Sequence, residues 1–107
     1  MTEAQAFPPT PFHPSTFIQD ELDARGWTRA DLANRMGAES CVRNLLVLDM
    51  YFEVGPTRTN CRLGEKTDAQ IAQAFGISPG FFLRLEAAWL RDMASLAVHE
   101  TSGKEGA

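Results

Sequence analysis

Residues 27–37 read WTRADLANRMG, and more of the architecture follows from them than from any other stretch. Thr28 can cap a helix, and Asp31 three residues on can answer it, as in a capping box. Trp27 before the cap and Leu32 at the fourth position fit a hydrophobic staple. The helix is short, about Arg29 to Met36, because Gly37 stops it. Leu32 and Met36 face a core.

The reading extends to both sides. Upstream, Pro14 suits a first helical turn, with Ser15 or Thr16 available to cap. Phe17, Ile18 and Leu22 form an apolar stripe at helical spacing, and Arg25-Gly26 ends it. Far downstream, Thr67 with Gln70 reads as another capping box. Ile71, Ala72 and Phe75 make its apolar face and Gly76 its stop. Ser78-Pro79 then reads as a cap followed by a first-turn proline. From Phe81 the chain steps through Phe82, Leu85, Trp89, Met93 and Leu96, which predicts a long last helix to Ala97. The expectation is one all-α domain of five helices over 13–97, with a Pro-rich disordered arm at 1–12 and a flexible tail at 98–107.

Composition limits the function. The chain has 107 residues, 44% hydrophobic and 22% charged, with a net charge of -4. That is a single small globular domain without a polybasic coat. No apolar run reaches the roughly 20 residues that span a bilayer, so no membrane partner is expected. The first twelve residues lack the basic start and apolar centre of a signal peptide, and a cytoplasmic protein is the expectation. Cys41 and Cys61 are too few for a disulfide scaffold and match no zinc spacing, so neither metal nor cofactor is expected. No nucleophile, base and orienting group fall at readable spacing, and there is no Gly-rich phosphate loop. His13 reads as structural, and Glu65 and Asp68 as ordinary first-turn acids. An enzyme is not expected.

Leu32-Ala33 followed by Gly37 is the pattern of a helix-turn-helix. Ala33 must be small where a second helix crosses it, and Gly37 lets the backbone turn. The flanks add to it: His13-Pro14, Phe17-Ile18, Glu21-Leu22, Arg25-Gly26-Trp27-Thr28, Asp31-Leu32-Ala33 and Arg35-Met36-Gly37. So do Ile71-Ala72, Ala74-Phe75-Gly76, Ser78-Pro79, Phe82 and Leu85. Together these resemble the HigA/VapI-type antitoxins of the Cro/repressor-like helix-turn-helix group, over about 13–37 and 63–90. The resemblance implies a five-helix Cro/repressor-like fold and a homodimer on a palindromic DNA operator. It also implies repression of the protein's own promoter and, for an antitoxin, a cognate toxin as partner.

Between those matches the chain departs from the family. Gly37 and Gly76 stand 39 positions apart, roughly ten more than the resemblance implies. Family spacing would put Arg43 and Leu46 in the core; a longer turn would put Leu45 and Leu48 there. In a helix-turn-helix the start of the second helix meets base edges and the helix before it meets phosphate. Base-edge candidates are Ser40, Arg43 and Asn44, with Arg suited to guanine and Asn to adenine. Phosphate candidates are Thr28, Arg29, Arg35, Arg58, Arg62 and Lys66. Glu39 opposes phosphate unless it points away. From Arg25 to Lys66 seven basic residues face five acidic ones, a charge of +2, while the rest of the chain carries -6. The proposed reading surface is the only net basic stretch, and its small field predicts weak, dimer-dependent affinity.

Leu45-Leu46-Val47-Leu48-Asp49-Met50-Tyr51-Phe52 is apolar on all sides of a helix, so it needs cover on all sides. Either it threads its own core or a partner covers one face. Phe81, Leu85, Trp89, Met93 and Leu96 read as core plus dimer seam. The expected function is a DNA-binding transcriptional regulator. The alternative is a degenerate helix-turn-helix that binds a protein, such as a toxin or host factor, through the apolar insert.

Overall fold

The computed structural model describes residues 12–106, with side chains to residue 96. The chain order is α1 (Pro14–Arg25), α2 (Arg29–Met36), α3 (Cys41–Glu53), α4 (Glu65–Phe75) and α5 (Phe81–Gly106), with 3-10 turns at Ala38–Ser40 and Gly55–Thr57. The all-α expectation holds: there are five helices and no strand among the described residues. Of the expected arm 1–12, all but Phe12 lies outside the described residues. α5 continues to Gly106, well past Ala97 where the apolar stripe ends.

The helix ends follow from local chemistry. α1 is capped by His13 rather than by Ser15 or Thr16. The imidazole Nδ1 accepts from the Ser15 backbone N–H (3.1 Å) and from its hydroxyl (2.8 Å). An imidazole nitrogen can play the acceptor role that a hydroxyl oxygen usually fills. α2 has the expected capping box: Thr28 Oγ1 accepts from Asp31 N–H (3.0 Å), and Thr28 N–H donates to the Asp31 carboxylate (2.9 Å). α1 and α4 both end on a left-handed glycine, Gly26 (φ 69°) and Gly76 (φ 76°), with the next residue donating back to Leu22 and Ala72. That conformation costs little only without a Cβ.

α4 starts at Glu65, so Thr67 is already its third residue and caps nothing. α5 starts at Phe81, two residues after the expected Pro79. The cap comes across space from Asp68 of α4, not from Ser78. Its carboxylate accepts from Gly80 N–H (2.5 Å), Phe82 N–H (2.9 Å) and Leu83 N–H (3.1 Å). Asp68 is therefore buried (1% exposed) and joins two helices.

The core gathers Ile18 and Leu22 of α1, Leu32, Ala33 and Met36 of α2, Leu48 and Tyr51 of α3, Ile71, Ala72 and Phe75 of α4, and Phe82 of α5. Each large apolar side chain so buried contributes about 1.5–3 kcal/mol. Trp27 stacks on Phe75 (5.9 Å), which closes the core beside the α2 cap. α3 packs more extensively on α2 than on any other element.

Candidate nucleic-acid interface

The α2–α3 pair is locked by a polar contact inside an apolar seam. Asn44 of α3 is buried, and its Nδ2 donates to the carbonyls of Ala33 (3.0 Å) and Gly37 (3.3 Å). This corrects the expectation of Asn44 as an adenine reader. Its donors are committed to the turn, where they satisfy the Ala33 carbonyl near the end of α2 and share the Gly37 carbonyl with the Ser40 N–H. Ala33 is fully buried beneath this contact, as a close helix crossing requires.

Asn44 fixes the register of α3. Its inner side carries Asn44, Leu48 and Tyr51, flanked by half-buried Cys41, Leu45 and Phe52. Of the longer-turn pair Leu48 is buried and Leu45 only half-buried, with Asn44 in the inner place; Arg43 and Leu46, the pair of the family spacing, are both exposed. The outer side then carries Val42 (75% exposed), Arg43, Leu46 (64%), Val47 (39%) and Met50 (60%). Polar Asn44 is inside and four apolar residues are outside, so the helix does not thread its own core.

The predicted phosphate contacts divide. Arg29 pairs with Asp49 (3.0 Å) and Glu53 (3.2 Å) of α3 and lies over the Phe52 ring (4.2 Å). Partial burial works against its charge, but the two carboxylates outweigh that and hold its pKa above the ordinary value. It is a strut between α2 and α3 rather than a free phosphate ligand. Thr28 is occupied by its capping box. Arg62, though mostly exposed, leans its Nε toward Glu86 (3.4 Å). Arg35 stacks its guanidinium on Trp27 (4.0 Å) and stays exposed. Ser40, Arg43, Arg58 and Lys66 are exposed, and among the described residues none of the three cations has a carboxylate within 4.0 Å.

The predicted dimer seam divides too. Trp89 is 4% exposed and meets His13 edge-on (4.6 Å), so it belongs to the interior and not to a seam. Phe81 is half-buried against Phe17 (5.0 Å) and Phe82 (5.1 Å). Leu85 lines an apolar groove of about 250 Å³ with Phe12, Pro14 and Phe17. Met93 and Leu96 are half-exposed further along α5.

Sequence reasoning passed over one more residue, Glu86, and read another, His13, as structural without its cap role. Glu86 is buried, and its Oε2 accepts from the Tyr51 hydroxyl (2.7 Å) and the Leu63 N–H (2.8 Å). It ties the 58–64 loop to α3 and α5. The signal was present: Glu86 follows Phe82 by four and precedes Trp89 by three, a charge inside the apolar stripe. Burial, together with the neighbouring Glu86 carboxylate, pushes the Tyr51 phenol far above its ordinary range. His13 is the other. Because Nδ1 accepts, the neutral ring carries its proton on Nε2, which is buried with no hydrogen-bond partner. Burial lowers its pKa, against an opposing pull from Glu86.

A second groove, about 240 Å³, runs between Leu46, Val47 and Met50 on one wall and Cys61, Leu63, Gly64 and Thr67 on the other, with Tyr51 also lining it. Cys41 and Cys61 are free and half-buried. Among the described residues no three His, Cys, Asp or Glu side chains gather as a metal site would need. No helix there is long and apolar enough to cross a membrane. Comparison of the chain with family models, curated proteins and solved structures gives no match in any of the three.

Proposed function

We propose that the chain is a helix-turn-helix transcriptional regulator of Cro/repressor-like fold that binds an operator in double-stranded DNA as a homodimer. One observation carries the reading: α3 is pinned to α2 on one side by Asn44, while its opposite side is open from Ser40 onward with Arg43 free to reach a base edge. A helix held in that way can enter the major groove by its first turns. Arg35 beside the α2 end, and Arg58 and Lys66 on the following segment, are the cations left to meet phosphate. The resemblance to HigA/VapI-type antitoxins, carried by residues 13–37 and 63–90, supplies the palindromic operator and the dimer, with a cognate toxin as the antitoxin's second partner. The reading assigns no catalysis and no cofactor.

The test is retention of a duplex from the region upstream of the protein's own coding sequence, followed by mobility shift at two salt concentrations. The expected result is binding that weakens with salt and drops at least tenfold in Arg43→Ala, at unchanged helicity. Indifference of the protein to that duplex and to random duplexes would refute DNA reading.

One observation favours a second reading. Leu46, Val47 and Met50 are exposed beside the apolar groove, where a protein segment would find anchors. A partner that co-purifies with the wild type and is lost in Met50→Glu, with no duplex bound by either protein, would establish that reading instead.

A further inference from the structure

Val42, Arg43 and Leu46 all point outward from the first two turns of α3, the part of a reading helix that meets base edges. Val42 is 75% and Leu46 64% exposed. With Val47 and Met50 they leave four large apolar side chains exposed on one side of one helix, rather than scattered singly over the surface. In the major groove only one base offers an apolar surface, thymine through its C5-methyl; every other edge offers donors or acceptors. An aliphatic side chain set against a polar edge strips water from it and returns no hydrogen bond, a cost of about 1–3 kcal/mol per group.

We infer that Val42 and Leu46 are base-reading residues that take thymine methyl groups, beside a guanine held by Arg43. This rests on the DNA-binding reading above and adds the base preference: half-sites that combine guanine with neighbouring thymines. It also gives the apolar outer face of α3 a role that a polar, basic reader would not have. Ser40, exposed just ahead of α3, is tolerant of any base. Glu39, exposed in the same turn, suits the amino group of cytosine rather than phosphate.

The experiment works with the operator sequence unknown. The full chain selects from a random-sequence duplex library, and the best duplex is remade with uracil for thymine, which removes only the C5-methyl. The expected wild-type result is a selected site containing guanine next to thymine, with binding weakened about fourfold for each contacted methyl removed. Val42→Ser, a change at an exposed position, keeps the fold and binds thymine and uracil versions of the contacted step within twofold of each other. If uracil costs the wild type nothing, the inference falls and DNA binding stands. If uracil weakens wild type and both Val42→Ser and Leu46→Ser equally, the methyls act through duplex shape and the inference also falls. If no duplex is selected at all, the DNA-binding reading itself has failed.

Discussion

Asp68 accepts three backbone N–H groups of another helix while almost wholly buried. Removing it deletes a cap and orphans buried donors, so Asp68→Ala should lower unfolding free energy by about 2–4 kcal/mol. Asp68→Asn, which keeps one acceptor oxygen, should fall between that and wild type; urea titration followed by circular dichroism reads both. His13 gives a pH test. Its folded-state pKa lies below the ordinary 6.5, so the neutral ring is the form the fold favours. Its contribution is complete above pH 6.5, is lost as pH falls from there toward the folded-state value, and levels off below it. The groups facing it are Tyr51 of α3 and Glu86 and Trp89 of α5, and among these only Glu86 favours the charged ring. His13→Asn, which retains a capping side chain, should flatten the dependence of the urea midpoint on pH below 6.5. An unchanged slope would place the proton elsewhere. Both residues show where the sequence was legible. Thr28-Asp31 is a contact between near neighbours and was readable. Asp68 caps a helix that starts thirteen residues later, and His13 caps with an atom rarely used for it, so neither spacing signalled the role.

At the level of elements, α3 shows how a helix can be placed correctly and its faces misjudged. Helical periodicity failed there because the buried stripe contains Asn44 and the exposed stripe contains Val42, Leu46, Val47 and Met50. The inner stripe accommodates Asn44 because its amide donates to two carbonyls at the turn, a pairing that periodicity alone does not show. Stability should follow the inner stripe alone. Leu48→Ala, at a fully buried site, should cost about 2–5 kcal/mol. Leu46→Gln and Met50→Gln should each stay within about 0.5 kcal/mol of wild type. Thermal melting of the three variants checks this; a large loss in Met50→Gln would mean that a second copy already covers the face. The outer helices were easier to read, since α1, α2 and α4 carry their stops as Gly26, Gly37 and Gly76 in the sequence itself.

For the whole molecule, the proposed binding to DNA has to work against a net charge of -4. The +2 stretch includes Arg29, held between two carboxylates of α3, and Arg62, which stays mostly exposed while its Nε reaches Glu86. Of that stretch Arg35, Arg43, Arg58 and Lys66 are exposed with no carboxylate within 4.0 Å among the described residues, and the proposed reading gives Arg43 to a base. On the proposed reading, three phosphate contacts per protomer would give about six for a dimer, and the logarithm of the binding constant should then fall with the logarithm of salt at a slope of about -5. Arg58→Ala removes two contacts from the dimer and should make that slope shallower by about two, with no change in melting temperature. Arg29→Ala should do the opposite, leaving the slope alone while lowering the melting temperature, because it breaks a strut between α2 and α3 rather than a phosphate contact. Measured side by side on one duplex, the two variants separate charge that serves the fold from charge that serves the ligand. A slope that falls in Arg29→Ala and not in Arg58→Ala would move the phosphate-facing surface from the segment after α3 to the start of α2.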